Sequence, residues 1–227
     1  MDAIPTLDLV AIIWFAITTG GYRLVTVFTR LESDSIAGAV QQQRLRWMRN
    51  MAERENRMID AVLLNSLSQG NAFFASTSAI ALGGLAALTG SWDKAMAFVE
   101  RFPYAAPTSP MLWEMKIVLM LGIFVYAFFK FAWAFRLSHY TAIMIGATPI
   151  ADESAKRDRE EHARRTAALI GIAAEHANAG LRAFYLAIAA MGWFFHPWLF
   201  IALTTWMLLI LARRDFFSRA KRIVSGQ

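Results

Sequence analysis

The feature that most constrains this chain is an alternation. Apolar blocks of about the length that crosses the hydrocarbon core as helix, roughly 20 residues for ~30 Å, are separated by segments dense in Arg, Glu and Gln. A backbone in lipid has no water to satisfy its N–H and C=O groups, so such blocks cross as helices. Of the 227 residues 57% are hydrophobic, against about 45–50% in an ordinary soluble domain. The reading is all-α: an integral membrane helical bundle with amphipathic cytoplasmic helical extensions.

The chain lacks cysteine, which excludes disulfides, thiolate-ligated metals and thiol catalysis. Its net charge of +6 lies beside the apolar blocks. There it sets topology and attracts anionic lipid headgroups rather than nucleic acid. The start, Met1-Asp2-Ala3-Ile4-Pro5, has no Lys or Arg before Arg23. It lacks the basic n-region of a secretory signal and reads as an uncleaved first span with the N-terminus outside.

The first span covers about 7–28, with Arg30 at its exit. From Ser35 to Asp60, Ile36, Val40, Trp47, Met51 and Met58 recur at steps that make an amphipathic helix. Arg49–Glu53 and Glu53–Arg57 are spaced to pair on its outer face, and it runs unbroken into the second span, about 61–88. That span ends at Gly90-Ser91. Pro103, Pro107 and Pro110 preclude a long helix in the connection that follows. The third span, about 111–137, carries Glu114, Lys116, Lys130 and Arg136 near its ends, read as snorkelling. Thr148-Pro149 has the form of a helix start for a charged extension over about 149–165.

The remainder allows two topologies. Thr166–Ala212 is helix-prone apart from Pro197. Either one span is kinked there, or the chain crosses twice, over about 168–195 and 197–211. Arginine-rich first and third loops place both in the cytoplasm. Arg213, Arg214, Arg219, Lys221 and Arg222 place the tail there too, which needs five crossings; four remain the alternative, because five put Glu175, His176 and Arg182 at membrane depth.

Two groups are candidate sites. Asn65, Ser68, Gln69, Ala72 and Ser76 recur at steps of three or four, a polar stripe on one helix face. It either lines a conduction path or hydrogen-bonds neighbouring helices. Glu175 and Arg182, seven residues apart, share a face near His176. Inside a bilayer they would form an ion or proton relay; outside, a solvated surface. His139, His162, His176 and His196 include no i, i+4 metal pair. No cofactor or metal is called for, and the eight tryptophans read as interface anchors.

The run Phe73-Phe74-Ala75-Ser76-Thr77-Ser78-Ala79-Ile80 is similar to bacterial members of the domain-of-unknown-function family 599 (DUF599). So is the ending Gly192-Trp193 … Pro197-Trp198 … Arg213-Arg214-Asp215-Phe216 … Ser218. That family commonly has Glu at the place of Asp215. The resemblance implies a small multi-pass membrane protein and supplies no activity. No acid, base and nucleophile constellation emerges, so an enzyme is not the expectation. The leading reading is an oligomeric channel or small-solute/ion transport protein of a bacterial inner membrane, its polar second span lining the path. The alternative is a non-conducting accessory or assembly subunit that docks the same face on a membrane partner. Ala79, Gly83 and Ala87 offer a close-packing face for either.

Overall fold

A computed structural model of the chain describes residues 4–28, 35–90, 92–99, 101–102, 106, 108–150, 156–217 and 219–226. The expectations placed on Arg30, Ser91, Pro103, Pro107 and Ser218 fall outside them. The described residues fold as α1 (Thr6–Phe28), α2 (Ile36–Ala52), α3 (Met58–Thr89), α4 (Trp92–Val99), α5 (Pro110–Gly146), α6 (Lys156–Met191), α7 (Pro197–Phe217) and α8 (Arg219–Ser225). Three of these are long and apolar enough to cross a membrane: α1 over Thr6–Leu24, α3 and α5.

The framework is an antiparallel α5–α6 pair, each helix roughly 55 Å long at 1.5 Å per residue. At what we term the upper end, Trp113 of α5 meets Phe194 just beyond α6, with ring centroids 5.1 Å apart. At the lower end His162 of α6 bonds the Met144 carbonyl of α5 at 2.7 Å. Between them Gly180 is a notch for Phe131: a Cβ there would lie 2.7 Å from the ring. Gly180→Leu is therefore expected to overpack the crossing and cost about 1–3 kcal/mol, read as earlier unfolding in detergent. Unchanged stability would show that the crossing can widen.

α3 packs upward along α5. Phe74 stacks on Phe131 at 5.1 Å and meets Phe184 edge-on, so the Phe73–Ile80 run contributes a packing residue. α3 also exposes large apolar side chains, among them Leu67, Phe73 and Ile80.

α2 and α3 do not form one helix. The chain leaves the helix at Glu53 and turns before Met58, so α2 runs down α6 while α3 returns along α5. The reversal buries Met48 and Met51 with Leu64, Ile145, Ala163 and Ile170, which a straight helix would have kept apart. Polar partners secure it. Buried Asp60 accepts from Trp47 Nε1 at 2.7 Å and from Arg54 Nη1 at 2.8 Å. Arg57 donates to the carbonyls of Thr148 and Pro149. The expected pairs within α2 give way to pairs with α6: Arg49 holds Glu160 and Glu53 lies 3.5 Å from Arg159. Together with Arg164, Arg49 keeps the Glu160 carboxyl below its usual range.

Thr148-Pro149 does not open a helix either. Thr148 follows α5 and donates to the Met144 carbonyl. The proline start lies instead at α5, where Ser109 caps Leu112 N and Pro110 takes the first turn.

At Pro197 the chain reverses rather than kinks. A 3-10 turn over Gly192–Phe194 ends α6, and His196 Nδ1 accepts from Trp198 N at the start of α7. A Cβ on Gly192 would meet Leu203 at 2.8 Å, so α7 folds back tightly. Arg214 then reaches the Tyr185 ring of α6. α1 runs parallel to α7, through Phe15–Phe200, Trp14–Thr205 and Tyr22–Asp215.

The upper end is closed by a buried polar knot. Trp193 Nε1 donates to Asp8 at 2.7 Å. Lys116 does not snorkel: it is buried, donates to Thr108 Oγ1 at 3.2 Å and lies over the Trp193 ring.

Candidate functional site

Between α1, α5, α6 and α7, with the start of α2 below, lies a cavity of about 1150 Å³. Each of the four long helices changes character along it. α1 contributes Phe15 and Ala16, then Tyr22 and Arg23. α5 contributes Val118, Leu119 and Ile123, then Tyr126 and Lys130. α7 contributes Leu208 and Leu211, then Arg214 and Asp215. α6 runs the other way and gives Leu186 and Ala183 above, Arg182, Asn178, His176 and Glu175 below. The upper half of the cavity is consequently apolar and the lower half polar.

The polar half is cationic. Arg23, Arg44, Lys130, Arg182 and Arg214 line it against Glu175 and Asp215. Both carboxylates are engaged. Asp215 accepts from Tyr22 at 2.8 Å and from Arg214 at 2.9 Å, and Glu175 faces Arg44. Burial draws the Arg44 guanidinium below its ordinary pKa, with Glu175 partly opposing. Lys130 Nζ donates to His176 Nδ1 at 3.3 Å and sits over the Tyr126 ring, as does Arg23. Arg182, half-buried, has no hydrogen bond or ion pair among the described residues. A guanidinium in such a place carries five N–H donors toward whatever enters.

The second sequence candidate is thus assembled as one site: Glu175, His176 and Arg182 share the cavity. The first is not. Ser68 is buried on α3, whereas Asn65, Gln69 and Ser76 are exposed on the surface of the bundle and none of the four lines the cavity. Lys130 was read from sequence as snorkelling, but it turns into the cavity toward His176; Arg44, Tyr22 and the Arg214–Asp215 pair were not read as site residues. The available signals were Lys130, placed well inside the snorkelling position of Arg136, and Asp215, a lone acid in a basic tail. The described residues include no cluster of three or more metal-ligating side chains.

The family model described as "Protein of unknown function, DUF599" matches residues 10–220. The chain belongs to the DUF599 family. No curated protein and no solved structure matches it. Both segments that carried the resemblance to DUF599 have defined places: Phe74 in the α3–α5–α6 seam, and Arg214-Asp215 in the cavity wall.

Proposed function

We propose that this DUF599 protein is a five-crossing protein of a bacterial inner membrane that binds an anion-bearing small molecule in the cavity and moves it between the bilayer and the cytoplasmic face. The observation that carries the reading is Arg182, a cation with no ion-pair partner among the described residues, at the level where four helices turn polar together. Intramembrane ionisable groups are costly and tend to mark substrate paths.

Support for five crossings comes from direction. α1, α5 and α7 run down, α3 and α6 run up, and the arginines of α2 and of the start of α6 gather at the lower end. By the excess of positive charge on cytoplasmic sides, that end is cytoplasmic, the N-terminus is outside and the C-terminus inside. α6 passes among α2, α5 and α7, so it needs no continuous apolar surface. The outward faces of α1, α3, α5 and α7 are rich in exposed apolar side chains, as lipid requires.

Reconstituted protein is expected to pass anions across liposomes, from a panel of phosphate, short-chain carboxylates and single-chain anionic amphiphiles. Arg182→Gln should slow passage about tenfold, the scale of one lost charge-assisted hydrogen bond. Arg164→Gln, on the exposed face of α6, should not. Passage of no panel member in an Arg182-dependent way would sink the transport reading. The second reading, a non-conducting accessory subunit, is favoured by one observation: Asn65 and Gln69 face outward, where a partner helix or a second copy would satisfy them.

A further inference from the structure

The cavity has a side as well as two ends. α1 packs along α7, while across the cavity α5 leaves Val118 65% exposed although it lines the wall. On the facing helices Gly20 and Gly122 both look into open space, with no atom of the described residues within 4 Å of a Cβ built on either. Val118 and Gly122 belong to a helix apolar and long enough to cross a membrane. The seam between α1 and α5 therefore opens at a depth where the surroundings are hydrocarbon. An apolar half-chamber open to hydrocarbon is filled by chains rather than water.

From this seam and the cationic half-chamber below it, resting on the proposed function, we infer that the ligand is an anionic amphiphile. Its phosphate-type or carboxylate headgroup lies at Arg182 and Lys130. Its hydrocarbon tail lies against Phe15, Leu119, Ile123, Leu186 and Leu208. It enters sideways from the bilayer between α1 and α5. The headgroup level is set by residues of separate helices: Arg182 on α6, Lys130 on α5 and Arg44 on α2. The last forms part of the floor with Ser35, Ile36 and Val40. Glu175 and Asp215 offset the arginines they face, Arg44 and Arg214, and leave Arg23, Lys130 and Arg182 in excess. A free phosphate shares the headgroup chemistry but has no use for the apolar half.

The full chain, purified in mild detergent, is tested by native mass spectrometry and thermal stabilisation with phosphatidylglycerol, phosphatidylcholine and inorganic phosphate. One phosphatidylglycerol is expected to be retained and to stabilise the protein, with phosphatidylcholine retained at least about tenfold less. Arg182→Gln should weaken the anionic lipid about tenfold. Gly122→Leu, which puts a side chain into the tail half without touching a charge, should do the same. Equal retention of the two lipids overturns the inference, since it marks ordinary surrounding lipid. Phosphate binding that needs Arg182 but ignores Gly122→Leu overturns it too, while leaving the anion-transport reading standing. Binding of neither probe through Arg182 overturns both. Lipid retained as described but never moved in the liposome assay keeps this inference and removes transport.

Discussion

Trp193→Ala is expected to lower the stability of the folded bundle by about 4 kcal/mol, within the range for truncating a buried aromatic in a core. Trp193 is 1% exposed and joins three layers at once. Its ring stacks on Phe200 of α7 at 5.4 Å, lies under the Lys116 ammonium of α5, and its indole N–H is bonded to Asp8 of α1. Truncation removes the packing and also leaves a buried carboxylate without its donor. Trp193→Phe separates the two effects. It keeps most of the ring volume and should cost about 1–3 kcal/mol, the penalty of an unsatisfied buried polar group. Unfolding followed by circular dichroism in detergent reads both variants. If Phe were as damaging as Ala, the hydrogen bond to Asp8 rather than the packing would be holding α1 in place.

Asp60→Leu should cost about 3 kcal/mol, the lower end of the range for breaking a buried charge pair by removing one partner. The lower end applies because Arg54 is about half exposed and recovers water when its partner is lost, while Trp47 N–H is left without its acceptor. The expected phenotype is local. Protease sensitivity should rise at the α2–α3 turn, and the upper bundle, held by α5–α6 packing and the Trp193 knot, should keep its helicity. Equal protection of the turn in the variant would show that the Met48–Met51 cluster alone is enough to close the reversal.

How much of this was legible in the sequence depended on what each helix touches. α1, α3 and α5 present apolar faces outward, so their blocks announced themselves by composition and their expected bounds fall within or close to the observed helices. α6 could not be read that way. Surrounded by other helices, it uses Ala and Gly for close approach and carries Arg182 where a lipid-facing helix would carry Leu. Pro197 marked a discontinuity, and the basic tail favoured reversal over a kink without deciding it. What decides between them is the close fit of Gly192 to α7, a tertiary fact. The α2–α3 break was missed because the helical period continues through Glu53–Arg57. Nothing local says that Arg49 prefers Glu160 or that Arg57 prefers two carbonyls ninety residues on.

The site was half visible for a similar reason. Seven-residue spacing put Glu175 and Arg182 on one face, and the cavity holds both. The complementary charges come from α1, α2, α5 and α7, and no spacing rule connects separate helices. The α3 stripe had the clearer pattern and lies outside the cavity. Periodicity identifies a face without saying whether it looks inward.

α6 carries two glycine notches nine residues apart, about two and a half turns, and so on opposite sides of the rod. Gly171 admits Gln41 of α2 and Gly180 admits Phe131 of α5. They act as two keyways cut in one shaft. Adding a single residue between them would turn one against the other by about 100°. The lower layer, the α5 crossing and the heading of Arg182 are thereby indexed to one another by chain length alone. A change of length would be tolerated only in the connections, and the cavity keeps its aim only while the count from 171 to 180 is preserved.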